Sequence, residues 1–150
     1  MLLVRHAIAV PREGWSSHDD ERPLTDRGRR QAEALVDETS YFSPSRLLSS
    51  PSVRCVDTVR PLAEARRLVI ECTSDLAEGN ALQAAALVRS LLEVEGNVVL
   101  CTHGDVVGDV LAALEKEGAR LEGDDCQKGS IWVVERDAGC IRGRYLPPPP

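Results

Sequence analysis

The sequence predicts an α/β fold, a three-layer α/β/α sandwich with a mostly parallel central sheet. Short apolar runs of the kind found in buried strands alternate along the chain with segments whose apolar residues recur at helical spacing. The runs at 2–4 and 97–101 are almost continuously apolar, which is typical of strands that are covered by helices on both faces. These observations favour a parallel sheet between two helical layers.

The individual elements follow from local patterns. Strands are predicted at 2–4, 46–50, 67–72 and 97–101, and a hairpin at 130–135 and 140–145. Helices are predicted from 26 to about 38, from 51 to about 66, from 81 to 93, and from 104 to a point before 118. Thr25 is the expected N-cap of the first helix, and Pro51 is expected in the first turn of the second. A single domain over 1–146 with an extended proline tail at 147–150 accounts for the chain.

Composition and charge exclude several classes of function. The formal net charge of −6 argues against general binding to a nucleic acid backbone. No stretch approaches the roughly 18 apolar residues that span a bilayer. The five cysteines show no paired spacing that would suggest zinc or a disulfide framework, so reduced thiols are expected. We therefore expect a cytoplasmic protein without nucleic acid or membrane partners.

Polar residues follow three of the predicted strands, at the edge of the sheet where ligands of parallel α/β folds bind. They are Arg5, His6, Ser49, Ser50, Thr102 and His103. One histidine at a strand end is more often structural than catalytic. Two of them, His6 and His103, at the same edge of the sheet indicate chemistry.

Two arginines indicate that this chemistry involves phosphate. Arg54 is expected on the first turn of the second helix, where its guanidinium can form charge-assisted hydrogen bonds to phosphate oxygens. Arg5 ends a buried strand, and a charge in that position needs a partner. Either arginine alone could be an ordinary surface or structural residue. With the two histidines they predict a phosphate site.

Four ordered motifs resemble the histidine phosphatase superfamily, which also contains the cofactor-dependent phosphoglycerate mutases. They are Leu-Val-Arg-His-Ala at 3–7, Arg-Pro-Leu-Thr-Asp-Arg-Gly at 22–28, Ser-Ser-Pro-Ser-Val-Arg-Cys-Val-Asp-Thr at 49–58, and Thr-His-Gly at 102–104. Ala7 stands where the superfamily's signature usually has glycine, and its small branch also uses alanine there. The resemblance covers nearly the whole chain and implies a phosphoglycerate mutase-like fold.

Two branches of this superfamily are similar to the chain. The short length and the Arg-Pro-Leu-Thr segment at 22–25 look like the small SixA-type phosphohistidine phosphatases. Arg54-Cys55 and the segment Gln-Lys-Gly-Ser-Ile-Trp-Val at 127–133 resemble the phosphatase domains that are fused behind Nudix hydrolases. The second likeness would point toward nucleotides.

The resemblance also implies roles for the site residues. His6 would be the nucleophile that forms a phosphohistidine. Arg5, Arg54 and a protonated His103 would stabilise the charged oxygens, with a backbone N–H of Gly104 at a helix N-terminus.

The acid that protonates an ester leaving group is expected in the loop after the third strand. Glu78 is the candidate there, and Asp75 competes with it. No metal and no cofactor are expected to take part.

The expected function is that of a metal-independent phosphatase acting on a phosphohistidine protein or a small phosphate monoester. The alternatives are a nucleotide phosphatase and a module that recognises phosphate without turnover. A mutase is disfavoured because mutases of this superfamily are longer. A metal hydrolase is disfavoured because the chain lacks a clustered set of histidine and carboxylate ligands.

Overall fold

A computed structural model describes residues 1–94 and 96–150, and its centre is a seven-stranded sheet. The strands are β1 (Leu2–Arg5), β2 (Arg46–Ser49), β3 (Ile70–Cys72), β4 (Val98–Thr102), β5 (Arg120–Glu122), β6 (Ile131–Asp137) and β7 (Cys140–Leu146). The α-helices are α1 (Asp26–Glu38), α2 (Val53–Arg66), α3 (Ala81–Leu92) and α4 (Gly104–Lys116). Two short 3₁₀ helices cover Asp19–Glu21 and Ser74–Leu76.

The sheet has the strand order β3-β2-β4-β1-β6-β7-β5. The first four strands in this order run parallel, while β6 is antiparallel to both β1 and β7. Arg5 lies opposite Thr102, and Ser49 lies opposite Cys101. The carboxyl ends of β1, β2 and β4 therefore meet at one edge of the sheet, and the polar residues that follow them come together there.

Helices cover both faces of the sheet, so the predicted three-layer sandwich is confirmed. Alternate residues along a strand point to opposite faces. Leu2 and Val4 pack in one core cluster with α1 and α2, while Leu3 packs in the other with α3 and α4. The central strands are buried on both faces, which explains their continuous apolar sequence.

Local signals placed several elements correctly. The Thr25 side chain accepts a hydrogen bond of 3.0 Å from the backbone N–H of Gly28, so Thr25 is the N-cap of α1 as predicted. The predicted hairpin is formed by β6 and β7. Its two turn residues, Ala138 and Gly139, both have positive φ, at 47° and 83°, as a tight turn between twisted strands requires.

The structure differs most from the prediction at α2, β3 and β5, while the other elements differ by at most two residues at an end. The helix expected from 51 begins at Val53 with Ser52 as N-cap, so Pro51 precedes the helix. Arg67 is the left-handed C-cap of that helix, and β3 begins only at Ile70. The short edge strand β5 was not predicted, because only one of its three residues is apolar.

Residues 147–150 carry no helix or strand. In the part of the chain that the structure describes, no helix is long and apolar enough to cross a membrane.

Candidate active site

The two histidines of the predicted site lie side by side at the carboxyl edge of the sheet. The backbone N–H of His6 donates a hydrogen bond of 2.9 Å to the carbonyl of Thr102, which fixes the end of β1 against the end of β4. The ring centroids of His6 and His103 are 5.4 Å apart with an interplanar angle of 68°. The sheet thus brings together two residues that are far apart in sequence.

The His6 ring is oriented and kept neutral by its surroundings. Its side chain is buried, and Nδ1 lies 2.8 Å from the carbonyl oxygen of Ala7. Because a carbonyl oxygen only accepts, Nδ1 carries the proton and Nε2 keeps its lone pair. The pKa of His6 is lowered to about 3, mainly by burial. The hydrogen bond to Ala7 raises the pKa, whereas the positive charges of neighbouring side chains lower it further. His6 is therefore an uncharged imidazole with a free Nε2 at neutral pH.

Arg54 is the most deeply buried cation of the site, with its side chain 1% exposed. Nη1 donates to the carbonyl oxygen of Asp19 at 2.9 Å, and Nη2 lies 3.2 Å from the Asp19 carboxylate. Nη2 also lies 3.3 Å from Glu78 Oε2 and 3.3 Å from His103 Nδ1. Nε is buried and has no hydrogen-bond partner among the described residues. A buried guanidinium with an unused N–H is suited to bind an oxyanion.

Thr58 connects Arg54 to the segment that follows His6. Its Oγ1 donates a hydrogen bond of 2.6 Å to the carbonyl of Arg54 and accepts one of 2.9 Å from the backbone N–H of Ala7. The first turn of α2 is thereby fixed relative to the residue after His6.

Arg5 lies across the N-terminus of α4. It donates to the carbonyl of Cys126. A Cβ atom added to Gly104 would lie only 2.7 Å from Cζ and Nε of Arg5. The glycine is therefore required for this close approach, which places the guanidinium beside the positive end of the helix dipole.

The loop before β6 borders His6 on another side. The backbone N–H of Gly129 lies 3.1 Å from the carbonyl oxygens of both Arg5 and His6. Gln31 Nε2 donates to the carbonyl of Lys128 at 3.2 Å. These bonds place Lys128 near the site. Burial lowers the pKa of Lys128, and the charges of nearby arginines lower it further.

The structure distinguishes between the two candidates for the general acid. Glu78 is about half exposed, and its Oε2 lies 3.3 Å from Arg54 and 3.3 Å from Arg12. Asp75 lies in the 3₁₀ helix before it, and its carboxylate makes no hydrogen bond or ion pair with any other described residue. Of the two carboxylates, only Glu78 reaches the arginine of the site, so the geometry favours it.

Asp19 is a member of the site that the sequence analysis missed. Its carboxylate lies 2.8 Å from Arg12, 2.8 Å from Arg22 and 3.2 Å from Arg54. The hydrogen bonds from Arg12 and Arg22 hold the pKa of this carboxyl well below its usual range. Asp19 belongs to an acidic run at 19–21, and no local sequence pattern links that run to an arginine of α2.

This acidic loop forms one wall of a cavity of about 400 Å³. The lining residues are Arg12, Trp15, Ser17, Asp19 and Glu78, and the last two contact Arg54. Trp15 thus lies in the wall of a cavity that adjoins the buried arginine. A second cavity of about 450 Å³, which includes Met1 and Val98, lies at the amino ends of β1 and β4 and contains none of the predicted site residues. We therefore place the chemistry at the carboxyl edge.

Comparison with known proteins agrees with this geometry. Residues 1–87 match the model of the histidine phosphatase superfamily, branch 1. The chain belongs to this superfamily. The match covers the Leu-Val-Arg-His-Ala motif at 3–7, the Arg-Pro-Leu-Thr segment and Arg54, so the resemblance seen in the sequence is confirmed.

Several known proteins are similar to this histidine phosphatase chain over nearly all of its length. The 8-oxo-(d)GTP phosphatase of Mycolicibacterium smegmatis is 37% identical over 99% of the chain, and the chain spans 48% of that protein. The structure of the protein histidine phosphatase SixA complexed with tungstate has a TM-score of 0.74, at 22% identity, over 98% of this chain and 94% of that one. The structure of a mycobacterial glucosyl-3-phosphoglycerate phosphatase complexed with VO₃ has a TM-score of 0.73 at 20% identity, and the match covers 97% of this chain and 96% of that one.

These comparisons support the expected phosphatase class and the predicted fold. The two solved structures are below 25% identity and show the fold alone. The chain spans about half the length of the curated relative it matches.

Proposed function

We propose that this histidine phosphatase domain hydrolyses phosphate esters without a metal ion, through a phosphohistidine formed on His6. The observation that supports this most strongly is the state of His6, which is buried, neutral and oriented by Ala7 so that Nε2 is free. Three further groups surround it: Arg5, Arg54 and His103. A free imidazole nitrogen beside two guanidinium groups and a second imidazole is an arrangement suited to nucleophilic attack on a phosphoryl group.

In the first step Nε2 of His6 attacks phosphorus in line with the leaving oxygen. The P–N bond forms, the P–O bond breaks, and the proton for the leaving oxygen comes from Glu78. Arg5 and Arg54 stabilise the negative charge on the phosphoryl oxygens, together with His103 and the backbone N–H of Gly104. Glu78 also fits this role because its carboxylate is half exposed at the edge of the cavity.

In the second step the oxygen of water attacks phosphorus; the new P–O bond forms, the P–N bond to His6 breaks, and inorganic phosphate is released as His6 is regenerated. Glu78 accepts a proton from that water, since the carboxylate that served as acid is ionised after the first step. The bonds from Asp19 and Glu78 to Arg54 keep its guanidinium in position. A phosphoryl group competes with these carboxylates for the Nη2 donor.

Two substrate classes are compatible with this site, and specific observations favour nucleotides. The relative with 37% identity is an 8-oxo-(d)GTP phosphatase. Lys128 adds positive charge beside Arg5, Arg22 and Arg54, which suits a substrate with more than one phosphate group. Trp15 at the cavity mouth offers a surface against which a base can stack. A phosphohistidine protein is the other candidate, in line with the structural similarity to SixA.

A substrate panel on the purified chain tests this proposal. The panel contains nitrophenyl phosphate, nucleoside mono-, di- and triphosphates, their 8-oxo forms, and a phosphohistidine protein. We expect turnover that survives chelators and disappears in His6→Asn, with nucleotides preferred. Lys128→Ala should weaken the use of di- and triphosphates more than that of nitrophenyl phosphate. Equal loss on all substrates would remove the specificity role of Lys128, and turnover in His6→Asn would contradict the nucleophile.

A further inference from the structure

Two polar side chains contact His103 from the side facing away from Arg54. Its Nε2 lies 2.9 Å from Ser50 Oγ and 3.6 Å from Cys55 Sγ. Ser50 and Cys55 are both fully buried. The proposed transfer steps do not use Cys55, so its contact with a site histidine needs an explanation.

The proton positions on His103 follow from its neighbours. Arg54 Nη2 lies 3.3 Å from Nδ1 and can only donate, so Nδ1 accepts in this arrangement and Nε2 carries the proton. The Nε2–H group then donates toward Ser50 Oγ and Cys55 Sγ. A phosphoryl oxygen only accepts. If His103 is to donate to it from Nδ1, both ring nitrogens must be protonated.

A doubly protonated His103 would be a buried cation surrounded by other cations. Arg54 on α2 contacts Nδ1, the Arg5 guanidinium lies against the next residue, Gly104, and the neutral His6 lies beside the ring. The carboxylates of Asp19 and Glu78 contact Arg54 and make no direct contact with the ring. Burying a charge is costly unless it is paired or hydrogen-bonded. The groups that touch Nε2 are therefore the ones that can compensate the charge.

Cys55 is chemically suited to this task. Burial raises the pKa of its thiol, but the contact of its sulfur with His103 and the charge of Arg54 act in the opposite direction and leave the pKa below its ordinary value. Burial raises the pKa of Cys101, so that neighbouring thiol stays protonated. The Cys55 sulfur is therefore suited to accept the Nε2–H of His103.

We propose that Cys55 is a positioning residue whose sulfur accepts the Nε2–H of His103, orients Nδ1 toward the phosphoryl group and supports the charged imidazole. This inference rests on the proposed function, in which His103 donates to the phosphoryl oxygens. Ser50 provides the second acceptor and fixes the plane of the ring.

Three variants test the role of Cys55. Cys55→Ala removes the acceptor with little change in volume, and Cys55→Ser restores a polar atom. Val59→Ala removes packing from the same helix and the same core cluster without touching His103, so it controls for stability. The measurements are kcat and KM for nitrophenyl phosphate from pH 5 to 9 and the thermal unfolding of each variant.

We expect Cys55→Ala to lower kcat about tenfold, with little change in KM. A tenfold loss is at the low end of what the loss of a hydrogen bond to a charged group costs. The alkaline limb of the rate profile should move to lower pH, because the protonated imidazole has lost its acceptor. Cys55→Ser should recover most of the rate. Val59→Ala should lower the unfolding temperature and leave the shape of the profile unchanged. A Cys55→Ala profile identical to that of the wild type would overturn the proposal.

A second readout separates this proposal from the proposed function. The ¹⁵N and ¹H shifts of the His103 ring, recorded with saturating inorganic phosphate, report which nitrogens are protonated whether or not the protein turns over. We expect both nitrogens to be protonated in the wild type, and Nδ1 to lose its proton at lower pH in Cys55→Ala. Unchanged shifts between the two proteins would exclude the role of Cys55. Absence of turnover in the wild type with the expected shifts would instead contradict the proposed function.

Discussion

The neutral state of His6 predicts a specific loss of stability in acid. In the folded protein the pKa of His6 is lowered to about 3, whereas its ordinary value is 6.5. The imidazole therefore binds a proton more readily in the unfolded chain than in the folded one. Its contribution to stability is fully present above pH 6.5 and is lost as the pH falls toward 3.

The size of this effect follows from the shift. Between pH 7 and pH 5 the unfolded chain gains a proton at His6 that the folded chain does not, which lowers the free energy of unfolding by about 2 kcal/mol. Other groups contribute to acid destabilisation as well. The difference between the wild type and His6→Asn isolates the contribution of the nucleophile.

The assay is urea unfolding at pH 7 and pH 5, at one ionic strength and in buffers without phosphate. His6→Asn should lose about 2 kcal/mol less than the wild type between the two pH values. His18→Asn is the matched control, because His18 is an exposed histidine in the loop before α1, and it should behave like the wild type. Equal losses in His6→Asn and the wild type would show that His6 is not held neutral by burial.

Three further substitutions test the groups around the nucleophile. Arg54→Ala should lower kcat/KM for nitrophenyl phosphate about a hundredfold or more, because a buried contact to the transition state is lost; a tenfold or smaller loss would make this arginine structural. The exposed Arg60 of the same helix is its control, and Arg60→Ala should have little effect. Glu78→Gln should slow the hydrolysis of alkyl or nucleoside phosphates about a hundredfold and spare nitrophenyl phosphate, whose leaving group needs no proton. If the phosphorylation step, measured by burst kinetics, slows equally for all of these substrates, the acid role of Glu78 is excluded. Gly104→Ala should reduce turnover at least about tenfold, since its Cβ would lie 2.7 Å from the Arg5 guanidinium that crosses the helix N-terminus. Gly108→Ala is the control, because Gly108 lies on the same helix with open space around it, and it should leave turnover unchanged. Equal rates in the two variants would show that the guanidinium can shift without cost.

The fold could be predicted from the sequence because its central strands carry strong local signals. Continuous apolar runs mark β1 and β4, and a good N-cap residue marks the start of α1. The edge strand β5 has the sequence Arg-Leu-Glu, which gives no such signal. It is a strand because its backbone pairs with β7 in the sheet, and that pairing depends on tertiary structure.

The same distinction applies to the site. His6 and His103 could be found because each follows a buried strand directly, and parallel strands bring such positions together. The contacts of Arg54 with Asp19 and of Cys55 with His103 join residues 35 and 48 positions apart. No periodicity predicts which loop residue will reach a given arginine or which thiol will lie beneath a given ring, so these members of the site required the structure.

The proposed mechanism requires that phosphorus become bonded to a ring nitrogen of His6 during turnover. The direct measurement is to quench the protein in alkali within milliseconds of mixing with ³²P-labelled substrate and to locate the label by peptide mass spectrometry. We predict an acid-labile, alkali-stable phosphoryl group on His6, absent from His6→Asn and formed at least as fast as steady-state turnover. Turnover without such a label, or a label that forms more slowly than product, would contradict the account.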